Sequence, residues 1–141
     1  MLEQAHHRLA IATEGQGFID LTGRVRRWLS SAAASDGLLT IFVAHTSASL
    51  TIQENADPDV LRDLCGALDA LAPRTRPYRH RSEGADDMPA HIRAMLTATS
   101  LGVPVIAGAP VLGTWQAIYL VEHRDAGRVR NVHLHFVGTR R

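Results

Sequence analysis

Leu38-Leu39-Thr40-Ile41-Phe42-Val43-Ala44-His45-Thr46-Ser47-Ala48-Ser49-Leu50-Thr51-Ile52 is the stretch whose reading decides the fold. Residues 38–44 are an unbroken apolar, β-branched run and read as a buried strand. His45 stands at its end, hydroxyl residues fill the turn, and residues 50–52 begin another short strand. Toward the N-terminus, residues 6–12 carry strand character, Gly15-Gln16-Gly17 is a turn, and residues 18–21 are a short apolar run. Thr22 caps a helix running to about Ala34, because Val25, Trp28, Leu29, Ala32 and Ala33 fall on one stripe at helical spacing; Asp36-Gly37 then breaks it. Toward the C-terminus, Asp57-Pro58 supplies a cap and a first-turn proline to a helix that ends at Pro73, with Val60, Leu61, Leu64, Cys65, Leu68 and Leu71 as its apolar face. Asp87-Met88-Pro89 opens a further helix to about Thr99, and residues 103–107, 115–122 and 129–137 read as strands. The turn-rich Arg124-Asp125-Ala126-Gly127 joins the last two as a terminal hairpin.

A chain of 141 residues with no repeat and no linker is one domain, residues 1–141, of α+β class. Its 15 basic and 14 acidic residues nearly cancel, which leaves no global field to gather nucleic acid or an anionic membrane. The single cysteine, Cys65, excludes an internal disulfide and a multi-cysteine zinc ribbon; on the apolar stripe of its helix it reads as a small core residue. Without a signal-like N-terminus or a long apolar segment, the expected location is a reducing, cytoplasmic one with the protein soluble. The eight histidines are the oddity, since each can bind a metal or exchange protons near neutral pH.

Chemistry concentrates in four segments. In His45-Thr46-Ser47-Ala48-Ser49 a histidine leaving a buried strand offers a metal ligand or proton carrier beside hydroxyls suited to phosphate oxygens; the competing reading is a histidine hydrogen-bonded at a strand end. Residues 73–88 lack apolar periodicity and carry Arg74, Arg76, Arg79, His80, Arg81, Glu83, Asp86 and Asp87, and His91 follows one turn inside the next helix. Asp87 and His91, four apart, share a helix face, and one aspartate caps the helix while the other points inward. Two histidines with carboxylates suit zinc or another divalent ion, and Arg79 or Arg81 can clamp a phosphate; the competing reading is a solvated loop closing onto a capped helix. Gln53-Glu54-Asn55-Ala56-Asp57-Pro58 brings Glu54 and Asn55 near enough to the serine-rich turn to line the same pocket, although such stretches commonly only cap helices. With no glycine-rich strand-to-helix turn, dinucleotide binding has no case. Gly113-Thr114-Trp115-Gln116 offers a ring and an amide to a planar heterocycle, against ordinary core or subunit contact. His133 and His135 share a strand face opposite Val132, Leu134 and Phe136, as a polar exposed or interfacial face would.

Gly17-Phe18-Ile19-Asp20-Leu21-Thr22, the His45 to Ile52 stretch, Glu54-Asn55-Ala56-Asp57-Pro58-Asp59-Val60, Tyr78-Arg79-His80, Asp86-Asp87-Met88-Pro89-Ala90-His91-Ile92 and Leu112-Gly113-Thr114-Trp115-Gln116 occur here in order over nearly the whole chain. In this combination the sequence resembles the YjbQ-like family, commonly described as secondary thiamine-phosphate synthases. The resemblance implies an α+β fold with a mixed sheet and two to three helices, a homotrimer, and a site in which His45, His80 and His91 hold a metal (zinc or magnesium) or an anion. An acid from Glu83, Asp86 or Asp87 joins them: Glu83 and Asp87 as acid–base candidates, Asp86 as a metal ligand. Thr46, Ser47, Ser49, Asn55, Arg79, Trp115 and Gln116 are the candidate contacts to substrate. The implied reaction joins a pyrimidine methyl diphosphate to a thiazole phosphate and releases pyrophosphate. Its alternative is a non-catalytic trimeric ligand-binding or assembly protein. His133 and His135 fall in no motif of the family.

Overall fold

A computed structural model describes all residues from Met1 to Arg141. Eight strands and three helices follow the chain as β1 (Glu3–Ala12), β2 (Gly17–Asp20), α1 (Thr22–Ser31), β3 (Ala34–Val43), β4 (Ala48–Glu54), α2 (Pro58–Leu71), α3 (Asp87–Leu96), β5 (Ser100–Ile106), β6 (Ala109–Pro110), β7 (Gln116–Glu122) and β8 (Val129–Arg140). Two sheets result: a larger one in the order β1-β8-β3-β5-β6 and a smaller one in the order β2-β7-β4.

Every strand pairing is antiparallel, which corrects the expected mixed sheet. A parallel pair needs a crossover that returns to the same sheet. Here α1 carries the chain from the small sheet to the large one, and so does the α2–α3 segment between β4 and β5, so no helix closes a crossover within a sheet. The expected terminal hairpin is also corrected. β7 is flanked on both edges by β2 and β4, and β8 by β1 and β3, so neither has an edge free for the other. The connection between them steps from one sheet to the other, with Gly127 pressed against β1's end: a Cβ there would lie 2.2 Å from the Thr13 carbonyl oxygen.

Alternation along the strands builds one core. Leu39, Ile41 and Val43 of β3, Val103 and Val105 of β5, and Val132, Leu134 and Phe136 of β8 point inward, where they meet Leu50 of β4, Ile118 and Leu120 of β7, and Val25 and Leu29 of α1. β7 is buried along both faces from Ala117 onward, as the middle strand of a covered sheet must be. The opposite face of the large sheet is open, leaving Leu38 and Phe42 about half exposed.

Helix ends differ from the expectation in instructive ways. Thr22 does not cap α1: its amide donates to the Asp20 carboxylate and its hydroxyl accepts the Ile118 amide, tying the helix start to β7. α1 stops at Ser31 because Ala33 turns left-handed (φ 55°), so Ala34 already belongs to β3. Asp57 caps α2 as its sequence implies, accepting the Asp59 amide with Pro58 in the first turn. The apolar stripe of α2 is only half-buried, however, and Leu71 is exposed, because this helix lies on the rim of the molecule. No helix is long and apolar enough to cross a membrane.

Candidate metal centre

The loop before α3 and the first turns of that helix bring three of the anticipated residues together. Asp87 is almost fully buried, and its Oδ2 accepts from His80 Nε2 at 2.7 Å and from His91 Nε2 at 3.2 Å. The two imidazoles meet edge to face, 5.5 Å between centroids. One ligand atom from each of the three residues falls within 4.8 Å of the other two, a grouping able to hold one small divalent ion. The other carboxylate oxygen, Oδ1, accepts from Arg124 Nη1 at 2.7 Å, so the aspartate is held from both sides. Burial alone would push the Asp87 pKa up. The His80 hydrogen bond, Arg124 and His91 outweigh it, and the carboxyl lies below its ordinary value.

Of the three candidate acids, Asp87 is the one whose carboxylate meets His80 and His91. Asp86, anticipated as a metal ligand, is turned the other way: its Oδ2 accepts from Arg124 Nε at 2.8 Å and from the Asp125 amide at 3.0 Å. The Arg124 hydrogen bond holds its pKa down at about 2. Neither aspartate caps α3 with its side chain. Glu83 is exposed and meets the cluster only through its backbone carbonyl, which accepts from Arg124 Nη2. Gly84 makes this turn possible: its φ of 108° is left-handed, and a Cβ would come within 3.0 Å of Asp86 Oδ1.

His45 is not in the cluster. At the end of β3 its Nε2 accepts the Asn131 amide at 2.8 Å, so that nitrogen is spent on joining β3 to β8. Burial and the Arg130 charge lower its pKa, against the opposing pull of Glu122, and it is a neutral acceptor. Ser47 and Ser49 are buried rather than presented to a ligand. The Ser47 carbonyl and hydroxyl both accept from Arg130 Nη2 at 3.0 Å, and the Ser49 hydroxyl bonds His123 Nε2 at 2.8 Å. Thr46 is exposed beside them.

Asn55, Trp115 and Gln116 lie elsewhere. The register of β4 with β7 pairs Glu54 with Gln116 at one end and Ala48 with Glu122 at the other. Seven residues of strand separate these ends by about 20 Å. Trp115 is 64% exposed, the Asn55 amide donates to its carbonyl, and the Gln116 side chain accepts the Gly113 amide. Within one chain these three cannot meet a ligand bound at Asp87, because Arg124 follows the far end of β7. All four arginines of the loop are exposed, and Arg74, Arg76 and Arg81, but not Arg79, line with His80, Tyr78 and Gly84 a cleft of about 180 Å³.

Sequence reasoning missed the segment Glu122-His123-Arg124. Glu122 and Arg130 form a buried ion pair: Arg130 Nε donates to Glu122 Oε1 at 2.8 Å, and Thr13 donates to the same oxygen at 2.7 Å. His123, 1% exposed, has its pKa pushed down to about 4, chiefly by burial and then by Arg93, with Glu122 opposing. Its Nδ1 and the Nε and Nη1 of buried Arg93 have no hydrogen-bond partner in the protein. A charged Glu122-His123-Arg124 run at the close of an apolar strand was the available signal.

A small α+β protein of two stacked antiparallel sheets, with a histidine–aspartate centre at the mouth of a helix, is the class these features define. The chain belongs to the YjbQ family: the model described as "UPF0047 protein YjbQ-like" matches residues 7–139. It is 48% identical over 131 residues to the UPF0047 protein sll1880 of Synechocystis, covering 92% of this chain and 89% of that protein. It is 40% identical over 125 residues to the UPF0047 protein YjbQ of Escherichia coli O157:H7, covering 88% and 91%. Among solved structures, a conserved hypothetical protein from Thermus thermophilus aligns with a TM-score of 0.80 at 39% identity, over 91% of this chain and 97% of that one. A YbjQ-like protein of unknown function from Sulfolobus solfataricus shares the fold with a TM-score of 0.91 at 23% identity, over 99% and 100%.

Proposed function

We propose that this protein is a small metal-dependent enzyme acting on a phosphorylated heterocycle, with His80, Asp87 and His91 as the metal ligands. The observation that carries the reading is the Asp87 carboxylate facing two imidazole nitrogens within ligand distance. Two nitrogens and one oxygen leave a fourth position open, as in catalytic zinc sites, and this set suits zinc better than oxygen-loving magnesium. A metal so held would supply charge neutralisation to a departing diphosphate. Arg81 and Arg76, in the cleft beside His80, would bind phosphate oxygens, and Arg124 would keep Asp87 oriented. At about 180 Å³ the cleft matches a phosphate or diphosphate rather than a whole heterocyclic substrate.

The finer reading is the family's thiamine-phosphate synthase reaction, joining a pyrimidine methyl diphosphate to a thiazole phosphate with release of pyrophosphate, in a cytoplasmic homotrimer. His45 and Glu83 have no position in this scheme as direct ligands. Elemental analysis of protein purified without chelator, with the His80→Ala/His91→Ala variant beside it, tests the centre. Close to one equivalent of metal in the wild type and none in the variant is expected, together with loss of turnover of the two phosphorylated substrates. A variant that retains turnover sinks the proposal.

A non-catalytic ligand-binding or assembly role is the second reading. One observation favours it: His80, His91, Asp87 and Arg124 already satisfy one another. It predicts tight binding of phosphorylated compounds without product.

A further inference from the structure

On the open face of the large sheet, away from the centre just described, the antiparallel register of β1 with β8 sets His6 opposite His135 and Arg8 opposite His133. His6 and His133 are therefore diagonal neighbours, and His133 and His135 share a face by the strand period. Their rings have closed on each other. His6 Nε2 lies 2.9 Å from His133 Nδ1, the rings stack at 5.2 Å with 21° between planes, and the His135 ring is 6.2 Å from that of His6.

A contact of this kind needs one nitrogen to carry a proton and the other to offer a lone pair. It also matches a chelate edge. Two imidazole nitrogens bound to one ion at about 2.0–2.1 Å stand about 3 Å apart when the angle at the metal is near 90–110°. Around the three histidines this face presents Gln4, Arg8, Thr40 and Phe42, with Leu38 and Val137 beside them, and none of these is a carboxylate. An all-imidazole set excludes magnesium and calcium in favour of zinc, nickel or copper, and Arg8 weakens the site without blocking it.

We propose that His6 and His133, with His135 rotated in as a third ligand, form a second transition-metal site that takes a borderline divalent ion. When the ion enters, the proton shared by the two rings moves to a distal ring nitrogen by exchange with water, so both imidazoles bind neutral. The ion also ties β1, an edge strand, to β8.

The test titrates metal-free full-length protein with nickel(II) by calorimetry and records copper(II) electron paramagnetic resonance spectra. In the His80→Ala/His91→Ala background, which removes the other centre, one equivalent should still bind, with nitrogen hyperfine splitting from two or three imidazoles. Adding His6→Gln/His133→Gln should weaken that binding at least tenfold, while the melting temperature of the metal-free protein stays unchanged because both side chains are at the surface. Binding of no ion in the first background, binding unaffected by the second pair of substitutions, or a spectrum dominated by oxygen ligands each overturns the proposal. The centre at Asp87 is tested separately. Its failure would appear as wild-type protein that binds a single equivalent, lost in His6→Gln/His133→Gln and kept in His80→Ala/His91→Ala.

Discussion

Arg124 decides what the neighbouring aspartates do, because one guanidinium holds Asp86 through Nε and Asp87 through Nη1. The Asp86 pair is 13% exposed on each side, and the folded-state pKa of about 2 lies below the ordinary 3.8. The unfolded chain therefore takes up its proton first as the pH falls. Stability from this pair is fully present above about pH 4 and is lost between there and pH 2, a change of about 2 kcal/mol. Asp86→Asn should be less stable than wild type at pH 6 and lose less on acidification, as followed by urea unfolding at both pH values. His123 gives the same sign in a different window. Buried and neutral, with a pKa of about 4 against 6.5 unfolded, it favours the fold fully above pH 6.5, and that contribution falls by about 3 kcal/mol as the pH drops through 4. His123→Asn should flatten the stability profile between pH 6.5 and 4, and an unchanged profile would contradict a buried neutral imidazole. Of these residues, Asp87 and His91 were legible because the period of one helix joins them. His123 with Ser49, and Glu122 with Arg130, were not, since each pair is made by tertiary packing, between neighbouring strands for the first and across the two sheets for the second, that no local spacing announces.

Elements were legible where a chain signal and the packing agree. The apolar run before His45 is a strand, although only its Leu39-Ile41-Val43 face is buried; Asp57-Pro58 begins a helix, and the alternation of Val132, Leu134 and Phe136 with His133 and His135 is borne out by inward and outward faces. They were illegible where tertiary structure chose the partner: residues 115–122 and 129–137 each form a strand, yet neighbours on both sides keep them apart. Helix ends fall between these cases. The stripe through Ala32 and Ala33 continues a helix, but the chain must enter β3, and Ala33 accepts a left-handed φ of 55° to do so. An L-residue there costs about 1 kcal/mol that glycine avoids. Ala33→Gly should accordingly raise stability by a few tenths to about 1 kcal/mol by chemical denaturation, the reverse of its usual effect in a helix. Asp57→Ala should lower it by about 1 kcal/mol through the lost cap of α2.

At the scale of the molecule, the anticipated site is divided. His80, Asp87 and His91 gather near Arg124, while Asn55, Trp115 and Gln116 sit at the other end of the small sheet, about 20 Å away by strand rise. If both groups serve one ligand, they must come from different chains, with the exposed Trp115 of one subunit facing the His80 cleft of the next. A ring of three subunits satisfies that demand with identical contacts. The expected outcome is sedimentation near three times the 15.4 kDa chain mass, and loss of metal-dependent pyrophosphate binding in both His80→Ala/His91→Ala and Trp115→Ala/Gln116→Ala. Co-refolding the two variants should then restore binding in part, because some interfaces pair an intact histidine cluster with an intact tryptophan. Full binding by the Trp115→Ala/Gln116→Ala protein alone would leave the centre within one chain and remove these two residues from it. A wild-type species of one chain mass at micromolar concentration would remove the shared site altogether.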